Sequence, residues 1–264
     1  MLAVIFIIII TTIVIILFYG MAKFNFKVAR EKERFFNKYG TTEKQVMIDD
    51  LDRLPLMVQN YLKQVGVLGR CRDCHVIFKQ RGKIRAKPEA GWKHFAATQY
   101  MTSVHPGFIW KANVFPMFIR DKSIEGQGEM TIDLFGLTSI GVFKDERISQ
   151  SALGRCLGEL VCCPMGFLSR DISWEKVNDM AIRATLSYEN TVSSGVFFFN
   201  GEGLIERFES MRYKDEKLVQ FIGKYDEYSI FNGLKIPTKM TGIWNFPTMD
   251  FEYFNARMTH HNIE

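Results

Sequence analysis

The sequence predicts a mainly β protein of the α+β class: a curved antiparallel sheet or half-barrel packed with a helix and preceded by an N-terminal transmembrane helix. Three observations lead there. An uncharged apolar run opens the chain, period-two alternation recurs along its later two thirds, and a single long helical pattern interrupts that alternation.

Residues 1–19, MLAVIFIIIITTIVIILFY, carry no charged side chain. A helix of about 20 residues crosses the roughly 30 Å hydrocarbon core of a bilayer, so the run is long enough to span. A cleaved signal peptide would need a basic start, a shorter apolar stretch and small residues before the cut; no Lys or Arg precedes the run and LFYGMA offers only a poor cleavage site, so a retained anchor is expected. Lys23, Lys27, Arg30, Lys32, Arg34 and Lys38 follow it on one side only. Cytoplasmic flanks collect Lys and Arg, so the domain is expected in the cytoplasm, with the basic stretch near anionic headgroups. The chain thus divides into an anchor (1–20), a charged juxtamembrane connector (21–42) and one β-rich domain with N-terminal helices (43–264).

In the connector, "FKVAREKERFFNKYGTTEKQ" reads as helix-prone up to Gly40, with Thr41 or Thr42 capping a following helix. A second helix is expected from Pro55, where Leu54, Met57, Val58, Tyr61, Leu62 and Val65 share one face, ending at Gly66 to Gly69. The period then changes to two. In "MAIRATLSYE", Ile182, Ala184, Leu186 and Tyr188 alternate with Arg183, Thr185, Ser187 and Glu189. "FIWKANVF", "EMTIDLF", "LIERFESMRY" and "FEYFNARMTH" behave alike, and "QRGK", "EGQG", "SSG", "NGEG" and "FNGLKIP" read as the turns between strands. Residues 149–168, SQSALGRCLGELVCCPMGFL, read as the interrupting helix, with Leu153, Leu157, Leu160 and Val161 on one side and Pro164 limiting it. Phe on both faces at 197–199 implies a sheet covered on both sides.

The blocks "LPLMVQNYLKQVGVLG", "QRGKIR", "GWKHFAATQY", "PGFIWKA", "GQGEM", "SALGRCLGELVCCP", "ISWEKVNDMAIRATL" and "GVFFFNGEG" stand in order over residues 54 to 245. Together they resemble an uncharacterised, membrane-anchored bacterial family known only as a domain of unknown function. The resemblance implies no reaction and no role for cysteines at 71 and 74. The strand-rich, aromatic pattern is also similar to the half-barrel of lipoprotein carriers, an analogy of fold only.

Four constellations bear on chemistry. Cys71, Cys74 and His75 form Cys-x-x-Cys-His, the spacing of c-type haem attachment. Haem attachment belongs on the other side of the membrane and on a helix, whereas here a strand follows. A zinc site would need further ligands, for which Cys156, Cys162 and Cys163 are the thiols available. Arg155 and Glu159 stand four apart on the interrupting helix, either as a structural ion pair or as a polar centre that recognises a headgroup or works as an acid–base couple. Gln99, Trp110 and Trp174, with Trp92, Tyr100 and Phe108, line either the core or an apolar pocket in which Gln99 and Arg155 are the convergent polar groups. The five histidines show no ligand spacing, no Gly-rich phosphate loop or G-x-S-x-G elbow occurs, and no cofactor is expected.

The net charge of +5 resides largely in the juxtamembrane stretch and forms no basic stripe, so nucleic acid is not an expected partner. Twenty-three Phe with nine Tyr and four Trp make the interior aromatic. The expected role is a membrane-tethered binding protein for an apolar ligand, a lipid or acyl chain. The candidate ligand-binding residues are Gln99, Trp110, Arg155, Glu159 and Trp174, with membrane lipid as partner. The alternatives are an enzyme centred on Arg155 and Glu159 and a structural or partner-docking module.

Overall fold

A computed structural model describes all residues, 1–264. Helix α1 (Leu2–Lys38) is followed by a 3-10 turn at Ile48–Leu51 and helix α2 (Leu56–Val65). Strands β1 (His75–Ile84), β2 (Lys93–Thr102), β3 (Phe108–Val114), β4 (Met117–Ile124), β5 (Gln127–Leu134) and β6 (Thr138–Phe143) form one meander. Helix α3 (Glu146–Gly158) and 3-10 turns at Glu159–Cys162 and Pro164–Leu168 then lead to a second meander. It comprises β7 (Ile172–Asn178), β8 (Ala181–Tyr188), β9 (Thr191–Phe199), β10 (Ile205–Lys214), β11 (Lys217–Phe231), β12 (Leu234–Phe246) and β13 (Met249–Ile263).

The two meanders join where β1 pairs with β13, giving one 13-stranded antiparallel sheet whose open edges are β6 and β7. The sheet is the half-barrel that the alternation predicts. Consecutive strands β6 and β7 lie at opposite edges, so the segment between them must cross a face of the sheet, and it crosses the concave one. Asp145 caps α3 by accepting from the Ile148 amide at 2.8 Å. Val76, Phe78, Met101, Phe108, Ala112, Leu153, Leu157, Val161, Phe167, Phe197 and Phe208 are fully or almost fully buried in one core of 44 residues between strands, α2 and the crossing segment. Fully burying each such side chain stabilises by roughly 1.5–3 kcal/mol. Gly66, in a left-handed conformation, ends α2 where the sequence places its stop.

Three local expectations are corrected. "QRGK" is not a turn: Gly82 lies inside β1, where a Cβ would stand 2.1 Å from the Asn255 carbonyl oxygen of β13. That glycine permits close strand approach. "SSG" lies inside β9, and Gly195 admits the Phe208 ring in the same way. Thr41 and Thr42 cap no helix; the Thr42 hydroxyl donates to Asp73 at 3.0 Å, and Gln45 bridges Cys71 in extended conformation.

Residues 21–38 continue the apolar helix without a break. Leu17, Gly20, Phe24, Val28, Glu31 and Phe35 form a face that is buried or half-buried against the convex side of the sheet. Phe24 packs on Phe118, and Phe36 stacks on His75 at 3.9 Å and meets Tyr100. Arg120, on the convex face of β4 and almost wholly buried, is held by Glu31 of α1 and Glu129 of β5. Beyond this contact, residues 2–16 project from the domain with their apolar side chains exposed, in a helix long and apolar enough to cross a membrane.

Gly20 is where the projecting and docked halves meet: a Cβ there would lie 2.1 Å from the Phe135 carbonyl oxygen. Gly20→Leu keeps this part of the helix apolar but must lift α1 from the sheet. A loss of about 1–3 kcal/mol in stability is expected, the usual cost of overpacking, with faster tryptic cleavage at Lys23 and Lys27. Thermal melts and limited proteolysis of the full chain in detergent measure both.

Candidate functional site

The concave face presents its polar groups at one place. Alternation in β2, β3 and β4 turns Gln99, Trp110 and Asp121 inward, and these three are register partners across the strands. Above them α3 carries Arg155, and Glu159 follows at its end. The Arg155 guanidinium donates from Nε to Glu159 Oε1 at 2.9 Å, from Nη1 to Asp121 Oδ2 at 2.6 Å and from Nη2 to Gln99 Oε1 at 3.0 Å. Gln99 Nε2 closes the ring by donating to Glu159 Oε2 at 2.5 Å. The guanidinium also lies 4.6 Å from the Phe108 ring centre and 5.1 Å from that of Trp110, close enough for cation–π attraction. Trp110 donates from its indole to Gln80 Oε1 at 3.1 Å.

Burial opposes the charge on Arg155, yet Glu159 and Asp121 together hold its pKa above the ordinary value. For Asp121 burial wins, and its pKa is raised despite Arg155. Both Glu159 oxygens are engaged, Oε1 by Arg155 and Oε2 by Gln99. Burial pushes the neighbouring Cys156 thiol up to about 12, leaving no thiolate nucleophile beside the ring. The arrangement is a brace: it ties the crossing segment to β2 and β4.

Four of the five residues singled out by sequence therefore meet: Gln99, Trp110, Arg155 and Glu159. Trp174 stands apart on β7 against Phe167 and Phe197, its indole N–H unpaired. Asp121 completes the ring and was missed, although alternation with Ile119 and Ser123 assigns it to the inner face. Arg212 was also missed. It lies 8% exposed on β10, donates from Nε to the Ser151 carbonyl at 3.1 Å and faces the rings of Phe221 and Trp244. Burial lowers its pKa.

Cys71, Cys74 and His75 do not converge. Cys74 is fully buried in the main core, and burial raises its thiol to about 12. His75, next along the strand, points to the convex side, where its ring stacks on Phe36 and Nε2 donates to the Tyr39 carbonyl at 2.5 Å. The Cys71 thiol donates to the carbonyl of Thr42 at 2.9 Å. Cys162 and Cys163 are buried in the crossing segment and raised by burial as well.

A cleft of about 220 Å³ opens between the β2–β3 loop and the end of the crossing segment, lined by Arg72, Asp73, Ser103, His105, Met165, Leu168, Arg170 and Asp171 among others. A narrow crevice continues from it past Ser103 and His105 toward Leu160, Gly166 and Leu186. His105 Nδ1 lies 4.0 Å from Asp171 Oδ2, and its ring packs on Tyr39 at the end of α1. The crossing segment is held at two further points. His261 Nε2 donates to the Cys162 carbonyl at 2.7 Å, and the Tyr225 hydroxyl donates to that of Gly158, also at 2.7 Å.

Two outcomes follow. Arg155→Met strands Asp121 and Glu159 without their cation and should cost about 3 kcal/mol in stability at pH 7, read by denaturant unfolding. Burial lowers the His261 pKa from 6.5, so its neutral form contributes stability that is present above pH 6.5 and lost as pH falls through the lowered folded value. His261→Gln keeps the donor and removes the titration. Its melting temperature should fall less than that of the unmodified chain between pH 7.5 and 5.

Two solved structures are similar in chain path. One is a Vibrio parahaemolyticus domain described as a candidate outer membrane lipoprotein-sorting protein, at TM-score 0.46 and 9% identity, covering 78% of this chain and 91% of that one. The other is a LolA superfamily protein from Nitrosomonas europaea, at TM-score 0.41 and 10% identity, covering 73% and 86%. A comparison with curated proteins returned no match. The profile of a Family of unknown function (DUF6544) matches residues 44–256, from the segment before α2 to well into β13, and the chain belongs to that family.

Proposed function

We propose that the protein is a membrane-tethered binding protein that holds an apolar ligand, a lipid or acyl chain, on the concave face of its half-barrel. The observation that carries this reading is the nature of what fills that face. Strands do not close the sheet. The crossing segment, residues 144–171, which ends in short 3-10 turns rather than a continuous helix, fills it together with α2. A segment tied at both ends can swing outward as a loop, and doing so uncovers Phe197 and Phe208, both fully buried beneath it.

In this reading Arg155, Asp121, Glu159 and Gln99 act as a latch, and the cleft beside Met165 and Leu168 is the entrance. The cleft alone is smaller than the roughly 300–1,000 Å³ of ordinary ligand pockets, so uptake requires the segment to move. Residues 2–19 anchor the chain, and the one-sided basic flank supports a cytoplasmic domain. The cleft meets α1 at Tyr39, about 28 Å along the helix from Gly20 at 1.5 Å per residue. Ligand would therefore enter from the side distant from the bilayer.

A photoactivatable diazirine palmitate added to the full chain in nanodiscs tests the reading. Crosslinks are expected on concave residues such as Phe197, Phe208 and Met165, and more of them in Glu159→Gln, which loosens the latch. Crosslinks confined to residues 2–19 would end the binding reading. A reporter fused after Glu264 should be active in the cytoplasm.

A further inference from the structure

The apolar span and the domain share one unbroken helix, so the position of the span fixes the position of the domain. The β5–β6 turn sits directly on Gly20. The Cβ that Gly136 lacks would lie 2.3 Å from the Gly20 carbonyl oxygen, and Lys23 Nζ donates to the Leu137 carbonyl at 3.1 Å. The Phe135 amide donates to the Pro116 carbonyl at 2.8 Å, which sets the β3–β4 turn alongside. The rings of Phe115 and Phe135 meet at 6.0 Å, and Phe115 is 69% exposed. Tyr19, one residue before Gly20, is 64% exposed.

Sheet register places the β1–β2 loop at the same end, where Lys83 and Arg85 lie 4.7 and 4.5 Å from the Trp92 ring. Eighteen residues at 1.5 Å each reach about 27 Å, close to the hydrocarbon thickness, so Gly20 falls at the boundary if residues 2–19 span. A turn packed on Gly20 then lies at the same depth. Aromatic rings beside Lys and Arg suit that layer, where amphipathic rings and basic groups both find partners.

We propose that the β3–β4 and β5–β6 turns, through Phe115, Phe135 and Leu137, lie in the headgroup–acyl boundary of the bilayer that α1 crosses. They form a second membrane contact that holds the domain upright. This rests on the reading of residues 2–19 as a spanning anchor. The consequence is a fixed orientation, with the membrane-facing turns at one end of the sheet and the cleft at the other.

Three variants of the full chain in phosphatidylcholine–phosphatidylglycerol vesicles test it: Phe6→Trp, Phe115→Trp and Ile230→Trp. Ile230 is 74% exposed and lies at the end of β11 remote from Gly20. The added tryptophan emission, relative to the unmodified chain, is read with lipids brominated near the headgroup or near the acyl terminus. The expected result has Phe6→Trp quenched by the deep label, Phe115→Trp by the shallow one, and Ile230→Trp by neither. Quenching at position 6 without quenching at 115 leaves the anchor standing and overturns the second contact. Equal quenching at 115 and 230 overturns the fixed orientation. No quenching at position 6 removes the anchor reading and the proposal with it.

Discussion

Everything in this molecule depends on a connection that has to cross its own sheet. Strands β6 and β7 follow one another in sequence yet form opposite edges of the sheet, and the intervening segment spans the concave face. It brings with it the one cation that the interior fully partners. Arg155 joins α3 to β2 through Gln99 and to β4 through Asp121, with Glu159 as its second carboxylate partner. A buried ion pair adds little net stability over apolar packing, but each member becomes costly once its partner leaves. Such a brace sets one position for the segment and penalises partly displaced ones, so the segment is held in a single seat without covalent or strand pairing.

The convex face shows the same physics turned outward. A second braced guanidinium, that of Arg120, is fully buried and takes its counter-charges from Glu129 on the neighbouring strand and from Glu31 on α1. The helix is therefore bound to the sheet by a charge that no other element fully satisfies, with Phe24, Val28, Phe35 and Phe36 packed around it. A flexible tether would let the apolar helix move freely against the domain; the docked helix fixes its direction relative to the sheet. The inner face is thus closed by the crossing segment with α2 and the outer face by α1, and a curved sheet with apolar side chains on both sides needs both covers.

Much of the local structure was legible. Helix α2 and its glycine stop, the strands around 108, 129, 181, 205 and 251, and the turns at Asn200 to Gly203 and Asn232–Gly233 follow from period and turn chemistry alone. The misread glycines failed for one reason. In "QRGK" and "SSG" the glycine serves a neighbour distant in sequence, the β13 backbone for Gly82 and the Phe208 ring for Gly195, and no local rule reports on that neighbour. Phe198 is a milder case: its outer face is met by Arg207 at 4.0 Å rather than by a covering element. The Cys-x-x-Cys-His string is the converse, a short spacing with a strong local meaning that strand alternation disperses to opposite faces.

The sequence by itself determined the apolar span, the fold class, the crossing helix and the pairing of Arg155 with Glu159, because each rests on spacing within a single element. Only the tertiary structure decided that Asp121 and Gln99 complete that pair, that Trp174 does not join it, and that residues 21–38 are a docked continuation of the span. Those outcomes depend on strand register and on counter-charges such as Glu31 and Arg120, 89 positions apart. Partners at that separation are set by which faces the fold brings together, and periodicity carries no information about them.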